Sequence, residues 1–416
     1  MTELVVKPNG NLTGDITVSG SKNATLPIMA ACLMTDGVTT LYNVPDLSDI
    51  GIMCQLLEES GARISKNKNT VTADCSSVSE HSAHYNLASS LRGSFLLAGP
   101  LLSRLGRVRI PMPGGCPIGT RPIDLHLKGF SLLGADITSS QGYVELKAKR
   151  LKGGKIYLDF PSVGATENLI MAAALAEGET IIENAATEPE ISDLAEFLNK
   201  QGARISGAGS DTVTINGVKV LSPTSHTVIP DRIEAGTFMT AFAITGGKGR
   251  ILNINCEHVK PVAAKLIEMG IKLRCDDNSI YIDATKPLHT ADIKTLPFPG
   301  FPTDMQAPFS ALMSITRGTG IVTETVFENR FLHMGELNRM GAHIKVDGRT
   351  SVIEGVKKLV GANVTAMDLR GGAALTLAGL VAEGETRISG VEHIKRGYED
   401  FPEKLRSVGA IIEIKE

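Results

Sequence analysis

One thiol in this sequence stands where acid–base or covalent chemistry could occur. Cys116 lies in the run PGGCPIGTRP (113–122), which holds three glycines, three prolines and, five residues after the cysteine, Arg121. Glycine allows left-handed backbone and proline fixes φ, so the run predicts a loop rather than a helix or a central strand. A cysteine near a guanidinium is a candidate for a lowered pKa and for nucleophilic or acid chemistry. The alternative is a surface loop with an incidental cysteine.

Cations begin two of the predicted helices. Lys22 and Arg92 stand at the start of apolar stretches that are typical of buried helices. A helix N-terminus favours anions, so a cation there calls for a compensating anion such as a substrate phosphate or carboxylate. Ser21 and Ser162 stand at the same kind of position, where a serine is also an ordinary N-cap, and both interpretations remain open for them.

These residues are carried by a sixfold repeat. A glycine, a strand-like run, an amphipathic helix ending in glycine and a hairpin-like run recur, and the starting glycines are 64 to 72 residues apart: Gly37, Gly106, Gly178, Gly249, Gly320 and Gly384. A buried helix precedes each starting glycine, so each repeat is predicted as helix, strand, helix, strand, strand. The glycines that end the amphipathic helices suit the left-handed position after a helix. They are Gly61, Gly134, Gly202, Gly270, Gly341 and Gly409.

The repeats predict two domains of three repeats each. Residues 220–230 form the expected crossing, so residues 22–229 make one domain, and residues 1–21 with 230–416 make the other. The repeat with the longest distance between its starting and closing glycines is the second, and its extra length is the Cys116 loop. Loops longer than a scaffold needs are often functional.

Composition narrows the class of protein. The chain has 416 residues, 42% of them hydrophobic, and a net charge of −3, which argues against nucleic acid as a partner. No apolar run of 18 residues and no N-terminal signal is visible, so we expect a cytoplasmic protein without a membrane partner. Six cysteines without a C-x-x-C pair predict neither a disulfide framework nor a zinc site.

Several runs resemble a known family, the enolpyruvyl transferases of the EPSP synthase type, and among them the UDP-N-acetylglucosamine enolpyruvyl (1-carboxyvinyl) transferases. The resemblance extends nearly from end to end and implies an inside-out α/β barrel of two domains with three repeats each. The runs are GSKNATLPIMAA, PGGCPIGTRPIDLH, SVGATENLIMAA, FPTDMQAPF, TETVFENRFLHMGEL and IKRGYEDFPEKLRSVGA.

The resemblance implies a reaction. The enolpyruvyl group of phosphoenolpyruvate is expected to pass to the 3′-hydroxyl of UDP-N-acetylglucosamine with release of phosphate, the first committed step of peptidoglycan synthesis. Addition needs a proton on C3 of phosphoenolpyruvate while the hydroxyl attacks C2. By its position in the motifs, Cys116 resembles the family's general acid, which protonates C3 of phosphoenolpyruvate and can also form a covalent adduct with it. Asp304 is the candidate base at the 3′-hydroxyl. No cofactor and no metal is implied.

The same resemblance assigns the substrate contacts. Lys22 and Asn23 are expected to contact phosphoenolpyruvate, and Arg121 and Arg396 to hold its phosphate and carboxylate; Lys22 and Arg396 count with Cys116 and Asp304 as catalytic. The residues assigned to the nucleotide sugar, besides Arg121 and Asp304, are Arg92, Pro122, Ile123, Asp124, Leu125, Phe160, Pro161, Ser162, Val163, Val326 and Phe327, the last by packing against the sugar. Asp368 and Arg370 are also assigned to substrate binding.

Two local features keep alternatives open. His126 follows the assigned run 121–125 and either orients a substrate group or is a structural hydrogen-bonding residue of its helix; we favour the second. Gly371, Gly372, Ala373 and Ala374 stand where some relatives carry Ala-Ser-Ala-Ser, which leaves the geometry of this helix start open.

Two rival functions differ in testable ways. The nearer is an enolpyruvyl transferase of the same fold that acts on shikimate 3-phosphate, against which the Cys116 loop and the run SVGATENLIMAA argue. The second is a catalytically silent sensor of nucleotide sugars. A sensor has no need for an acid and a base together, and it would bind without turnover.

Overall fold

The protein has a two-domain α/β fold. The computed structural model describes residues 2–112, 119 and 122–415, so the predictions for Cys116 and Arg121 lie outside the described residues. Contacts divide the chain into two compact units. The first holds residues 2–19, 119 and 230–415, and the second holds 20–112 and 122–229.

The chain begins in the first unit with two strands, β1 (Glu3–Lys7) and β2 (Thr13–Thr17). It passes into the second unit between residues 19 and 20 and returns between residues 229 and 230. Both passages are hydrogen-bonded at the backbone. Ser21 donates to the carbonyl of Ile229 at 2.8 Å within the second unit, and Asp231 donates to the carbonyl of Ser19 at 2.9 Å within the first.

The second unit contains repeats one to three. Repeat one comprises α1 (Lys22–Cys32), β3 (Val38–Tyr42), α2 (Ser48–Glu59), β4 (Arg63–Asn67) and β5 (Thr70–Asp74). Repeat two comprises α3 (Tyr85–Ser90), a 3-10 helix (Arg92–Leu97), α4 (Ala98–Leu105), β6 (Arg107–Pro111), α5 (Asp124–Leu132), β7 (Asp136–Ser140) and β8 (Tyr143–Lys147). Repeat three comprises β9 (Lys155–Tyr157), α6 (Val163–Ala174), β10 (Glu179–Glu183), α7 (Pro189–Lys200), β11 (Ile205–Ser206) and β12 (Thr212–Asn216), and β13 (Ser225–Thr227) follows.

The first unit contains repeats four to six. Repeat four comprises α8 (Arg232–Ile244), β14 (Lys248–Leu252), a 3-10 helix (Cys256–Val259), α9 (Lys260–Glu268), β15 (Lys272–Asp276) and β16 (Ser279–Asp283). Repeat five comprises β17 (Ile293–Lys294), a 3-10 helix (Thr303–Met305), α10 (Gln306–Met313), β18 (Thr319–Thr323), α11 (Leu332–Arg339), β19 (His343–Asp347) and β20 (Thr350–Glu354). Repeat six comprises β21 (Asn363–Thr365), α12 (Leu369–Gly379), β22 (Thr386–Ser389), α13 (Val391–Ile394), α14 (Phe401–Ser407) and β23 (Ile411–Lys415).

Each repeat contributes a small sheet. In repeats one, three, four and five an antiparallel group of three strands gains a fourth strand at one edge, parallel to the outer strand that it pairs with, as β17 is to β18. Two of these parallel strands are exchanged along the chain. β2 precedes repeat one but pairs with β14, and β13 precedes repeat four but pairs with β3, because the chain changes unit directly after each of them.

The sixth sheet joins the two ends of the described chain. Its order is β21-β22-β1-β23, so β1 supplies the last strand that repeat six lacks. β1 and β23 run antiparallel, with Glu3 opposite Lys415 and Lys7 opposite Ile411.

Apolar, small-residue helices form the core of each unit. α1, α6, α8 and α12 are buried over nearly their whole length, and each unit has its own hydrophobic cluster. The six glycines predicted to follow the amphipathic helices have φ values between 88° and 108°, which confirms their left-handed conformation. No helix among the described residues is long and apolar enough to cross a bilayer.

The cysteines differ in part from the prediction. Cys32 and Cys75 are buried and Cys54 is half-buried. Cys256 and Cys275, however, form a disulfide with their Cα atoms 6.2 Å apart. Cys256 follows β14 and Cys275 lies on β15, so the bond arises from tertiary packing and has no signature in the residue spacing.

Candidate functional site

Asp304 lies between two buried guanidinium groups of the first unit. It stands in the 3-10 helix Thr303–Met305, and its Oδ1 accepts a hydrogen bond from Arg330 at 2.5 Å while Oδ2 accepts one from Arg370 at 2.9 Å. The arginine side chains are 6% and 3% exposed and that of Asp304 is 23% exposed. A carboxylate has about four lone-pair positions, so the accessible side of Asp304 can still accept a proton donor.

Arg370 is held from its other side by an aromatic ring. Its guanidinium carbon lies 5.0 Å from the centroid of Tyr398, whose hydroxyl is 3.0 Å from the hydroxyl of Thr237 on α8. Burial alone would lower the pKa of Arg370, but Tyr398, Asp304 and Asp231 together raise it. Arg370 is therefore a permanent cation next to the candidate base.

The start of α12 explains the Gly-Gly pair. Asp368 caps this helix, since its Oδ1 accepts the backbone N–H groups of Arg370 and Gly371, each at 2.9 Å. A Cβ on Gly372 would lie 2.6 Å from Cγ1 of Ile394 and 3.0 Å from Cβ of Ala366. The departure from Ala-Ser-Ala-Ser thus accompanies a closely packed helix start that keeps Arg370 in place.

Arg396 belongs to a segment that packs against the same helix start. It is half-buried, and a Cβ on the next residue, Gly397, would lie 2.6 Å from Cδ1 of Leu369. Tyr398, two residues beyond Arg396, is buried and stacks on Phe401 at a centroid distance of 4.8 Å. The structure therefore brings Asp304, Arg370 and the segment of Arg396 together.

Val326 and Phe327 follow β18 and are both half-buried. Their backbone N–H groups donate to Oε1 of Glu324 at 2.8 and 3.1 Å, and the guanidinium carbon of Arg330 lies 5.2 Å from the Phe327 ring centroid. The same arginine therefore contacts the candidate base and a residue assigned to the sugar.

In the second unit, Lys22 begins α1 and is buried. Its Nζ lies 3.5 Å from Oδ2 of Asp49 on α2, and the hydroxyl of Ser21 caps the helix at the N–H of Ala24, 3.3 Å away. The anion that a cation at this N-terminus requires is thus supplied in part by the protein itself. Asn23 is half-buried beside Lys22.

His126 links three of the segments assigned to the nucleotide sugar. Asn168 on α6 donates to the carbonyl of Phe95 at 2.9 Å and lies 3.0 Å from Nδ1 of His126, and Oδ1 of Asn168 accepts the N–H of Gly99. Burial, together with the charge of Arg92, lowers the pKa of His126 to about 3, so the ring is neutral with Nδ1 accepting. This geometry fits the structural interpretation of His126.

The segment before α6 lies next to that histidine. Ser162 caps α6 at the N–H of Ala165, 3.4 Å away, and a Cβ on Gly164 would lie 3.4 Å from the His126 ring. Phe160 is 45% exposed, while Pro161 and Val163 are half-buried. Of the residues assigned before and at the start of α5, Pro122 and Asp124 are exposed, Ile123 is buried and Leu125 is half-buried.

Several charged residues of these sites were absent from the sequence prediction. Arg330 and Glu324 lie within the run TETVFENRFLHMGEL, and Asp49 precedes the apolar face of α2. All three side chains are buried, although the residues next to them along the chain are not all buried. Glu167 on α6 is a further buried acidic residue, and burial, together with Glu190 and Glu188, raises its pKa. Among the described residues, no group of three or more His, Cys, Asp or Glu side chains could hold a metal ion.

Comparisons with known proteins give a consistent result. Residues 6–405 match the family model described as EPSP synthase (3-phosphoshikimate 1-carboxyvinyltransferase). The chain is 54% identical over 413 residues, 99% of each chain, to UDP-N-acetylglucosamine 1-carboxyvinyltransferase 1 of Caldanaerobacter subterraneus subsp. tengcongensis. It is 51% identical over 413 residues, again 99% of each chain, to the UDP-N-acetylglucosamine 1-carboxyvinyltransferase of Geobacter metallireducens.

Solved structures show the same architecture. An enolpyruvyl transferase from Streptomyces tendae superposes with a TM-score of 0.89 at 25% identity, over 100% of this chain and 99% of that one. The EPSP synthase from Acinetobacter baumannii superposes with a TM-score of 0.76 at 21% identity over 100% of both chains. The second likeness is one of fold.

Proposed function

The chain belongs to the EPSP synthase family, and from this premise we propose that it transfers the enolpyruvyl group of phosphoenolpyruvate to the 3′-hydroxyl of UDP-N-acetylglucosamine. The observation that carries the proposal is the 54% identity, over 99% of both chains, to a UDP-N-acetylglucosamine 1-carboxyvinyltransferase. The products are phosphate and UDP-N-acetyl-3-O-(1-carboxyvinyl)-glucosamine, and the reaction opens peptidoglycan synthesis. We place it in the cytoplasm, where both substrates are dissolved phosphorylated metabolites.

The finer description of the fold is part of the proposal. Among the described residues, the six small sheets, three in either unit, and the buried helices α1, α6, α8 and α12 suit two inside-out α/β barrels with their helices inside. In such an arrangement the helix N-termini of one unit can point to a common region. Within the first unit this is supported by the contacts that Arg370 at the start of α12 makes with Asp304 and, electrostatically, with Asp231 at the start of α8.

Asp304 takes the base role in this proposal. Its carboxylate accepts the proton of the 3′-hydroxyl while that oxygen attacks C2 of phosphoenolpyruvate. Arg330 and Arg370 orient the carboxylate through charge-assisted hydrogen bonds. The proton later leaves to solvent or to the departing phosphate.

Cys116 takes the acid role by its place in the loop motif. It donates its proton to C3 of phosphoenolpyruvate as C2 gains the sugar oxygen, and elimination then removes a proton from C3 and releases phosphate. Lys22, Asn23, Arg121 and Arg396 hold the phosphate and carboxylate of phosphoenolpyruvate. Arginine forks match both groups bidentately, whereas a lysine supplies a point charge.

The nucleotide sugar is assigned to the segments around His126 and α6. In this proposal Arg92 and the segments 122–125 and 160–163 bind the nucleotide sugar, with Arg92 as a cation for its diphosphate. Support comes from the contact of His126 with Asn168 and from the neutral imidazole beside Arg92. Val326, Phe327, Asp368 and Arg370 complete the set in the first unit.

Phosphate release tests the function. We expect phosphate to appear from phosphoenolpyruvate only when UDP-N-acetylglucosamine is present, and Cys116→Ser to lose this release. Cys54→Ser is the matched control, because Cys54 is a half-buried thiol on α2 outside the assigned residues. Release that survives Cys116→Ser would leave the reaction and remove the acid role from the cysteine.

Substrate replacement tests the alternatives. Release with shikimate 3-phosphate instead of UDP-N-acetylglucosamine would assign the other reaction of the family, whose name the family model carries. Binding of UDP-N-acetylglucosamine without any release would favour a sensor.

A further inference from the structure

Glu324 is a buried carboxylate that accepts four hydrogen bonds. It follows β18 and is 1% exposed. Its Oε1 accepts the hydroxyl of Thr295 at 2.8 Å and the backbone N–H groups of Val326 and Phe327 at 2.8 and 3.1 Å. Its Oε2 accepts the hydroxyl of Thr303 at 2.8 Å. Because all four of these neighbours are donors, the position requires a side chain whose two terminal atoms both accept hydrogen bonds.

These bonds join the two segments of the first unit that are assigned to the sugar and to its 3′-hydroxyl. Val326 and Phe327 are held directly. Thr303 precedes Asp304, and its oxygen also accepts a hydrogen bond from Nη1 of Arg330 at 3.0 Å. Arg330 in turn donates to Asp304. Glu324 therefore orients Thr303, Thr303 orients Arg330, and Arg330 orients the candidate base.

Comparison with repeats one, three and four distinguishes Glu324 from the residue that they have at the same place. β3, β10 and β14 occupy the same place as β18, and each is followed by an asparagine with φ between 54° and 59°. The side-chain amide of that asparagine donates to a backbone carbonyl beside the parallel strand, at 2.7 to 2.8 Å. The three pairs are Asn43 with Val228, Asn184 with Leu158 and Asn253 with Val18.

The partner position changes together with the glutamate. Val228, Leu158 and Val18 each donate a backbone N–H to the last residue of β3, β10 or β14, and in repeat five Thr295 makes the equivalent bond to Thr323, the last residue of β18. An apolar residue is thus replaced by one whose hydroxyl binds Glu324. The carbonyl that the asparagine would bind is bonded instead by the hydroxyl of Thr325, at 2.5 Å. Thr325 therefore makes the hydrogen bond that the asparagine makes in the other three repeats. The hydrogen bond between Glu324 and Thr295 is thus not needed for this connection and has a different role.

We propose that Glu324 is a positioning residue for the transfer reaction: it sets the orientation of Asp304 through Thr303 and Arg330, and it fixes the backbone of Val326 and Phe327 against the sugar. The inference rests on the proposed function for its catalytic part. The role of Glu324 has two arms. In one, Oε2 accepts a hydrogen bond from Thr303; in the other, Oε1 accepts the backbone N–H groups of Val326 and Phe327, so a substitution can affect one arm without the other.

Glu324→Gln separates the arms. Three donors converge on Oε1, so the amide oxygen must take that place and the NH₂ group must face Thr303. The Thr303 hydroxyl then loses its acceptor while Val326 and Phe327 keep theirs. Thr303→Val removes the same bond from the other side, and Thr303→Ser restores it. Glu324→Ala removes both arms.

The expected kinetics follow from this separation. Glu324→Gln and Thr303→Val should lower kcat by about tenfold or more, since small misplacements of reacting groups can cost up to about 10²-fold. Their KM for UDP-N-acetylglucosamine should stay within about twofold of the wild type, because a backbone that is still held keeps its contacts with the sugar. Thr303→Ser should recover kcat. Glu324→Ala should lower kcat and also raise this KM.

Amide hydrogen exchange provides a readout that does not depend on activity. The N–H groups of Val326 and Phe327 should exchange faster in Glu324→Ala and at the wild-type rate in Glu324→Gln. Asn253→Ala is the matched control, because it removes the scaffold bond at the equivalent place in repeat four. It should lower Tm and leave kcat and KM unchanged.

The outcomes are distinguishable. A wild type without turnover would contradict the proposed function, while the exchange rates would still decide whether Glu324 holds residues 326 and 327. A wild type that turns over, with kcat unchanged in Glu324→Gln and Thr303→Val, would overturn the inference. So would a loss of kcat in Asn253→Ala as large as that in Glu324→Gln, since it would reduce the effect to stability.

Discussion

Asp304 is paired with two buried arginines, so its substitution affects the stability of the protein as well as its chemistry. Its carboxylate forms ion pairs with two guanidinium groups that are almost completely buried. Removing one partner of a buried ion pair leaves an uncompensated charge. Loss of activity in a variant that lacks this carboxylate would therefore report folding as well as chemistry.

We predict that Asp304→Ala lowers the free energy of unfolding of the first unit by about 3 kcal/mol or more, because Arg330 and Arg370 are left facing each other. Asp304→Asn keeps one acceptor oxygen and should cost less. Urea unfolding of both variants measures this. If Asp304→Ala unfolds at the same urea concentration as the wild type, other groups compensate the charges of the two arginines, and the activity of either variant reports the base role. If Asp304→Ala is destabilised, only the activity of Asp304→Asn can be used to judge that role.

Glu234 gives a pH dependence with a definite sign. Its Oε1 accepts from Nζ of Lys404 at 2.6 Å and its Oε2 from the backbone N–H of Ser19 at 2.8 Å. Burial raises the pKa of Glu234 from its ordinary value of 4.5 to about 7, in spite of the ammonium of Lys404. The folded protein then binds more protons than the unfolded chain between these pH values. The stabilisation from this group is complete below pH 4.5 and is lost as the pH rises through about 7.

We therefore predict that the difference in unfolding free energy between the wild type and Glu234→Gln falls by roughly 3 kcal/mol from pH 4.5 to pH 7, since one pKa unit corresponds to about 1.4 kcal/mol. Denaturant unfolding at intervals across this range measures it. Parallel pH profiles for the two proteins would contradict the raised pKa.

The site was predictable from the sequence to the extent that its residues stand in motifs. Lys22, Asp304 and Arg370 were nominated by position, whereas their partners Asp49, Arg330 and Tyr398 were not. Such partners lie on other elements: Arg330 is 26 residues from Asp304, and Asp49 is 27 residues from Lys22. Only the fold brings them together, and no local pattern records the pairing.

At the scale of elements, periodicity and glycine placement predicted the buried helices, and the structure contains them. The parallel fourth strands were missed. They have two to five residues, too few for an alternating pattern, and their partners lie on distant parts of the chain. The buried helix of repeat two begins as a 3-10 helix at Arg92, which apolar periodicity does not distinguish from an α-helix.

The close packing at the start of α12 makes a prediction about Gly372. Alanine normally stabilises a helix relative to glycine by about 1 kcal/mol. At this position its Cβ would collide with Ile394, so Gly372→Ala should instead lower stability by about 1–3 kcal/mol. Thermal unfolding measures the change.

Two further variants isolate the cause. Gly335→Ala on α11, where a Cβ would meet nothing within 4 Å, should be neutral or stabilising. In an Ile394→Ala background the cost of Gly372→Ala should shrink, since residues in contact are energetically coupled. An equal cost in both backgrounds would place the strain elsewhere.

At the scale of the whole molecule, the first unit is discontinuous in sequence but continuous in structure. β1 is a central strand of the sheet β21-β22-β1-β23, and β2 pairs with β14. A fragment of residues 230–415 therefore lacks two strands, one of them between two others. Residues 20–229 contain no such gap among their described strands.

We predict that residues 20–229 fold alone and that residues 230–415 do not. The first unit should fold when residues 2–19 are joined behind residue 415 by a linker of about four residues, because opposite Cα atoms in an antiparallel pair lie about 5 Å apart and Glu3 stands opposite Lys415. The join then becomes an ordinary hairpin. Cooperative thermal unfolding by circular dichroism measures folding of each fragment.

A matched control keeps every residue and changes only the order. In this control, residues 2–19 are placed before residue 230, so that the same linker connects residue 19 to residue 230 and the composition is unchanged. Asp231 already donates to the carbonyl of Ser19 at 2.9 Å, so this join is also short, and both rearranged fragments should fold. Cooperative unfolding of residues 230–415 alone would contradict this prediction. It would show that the first unit folds without β1 and β2, and therefore that two of its sheets need not be complete.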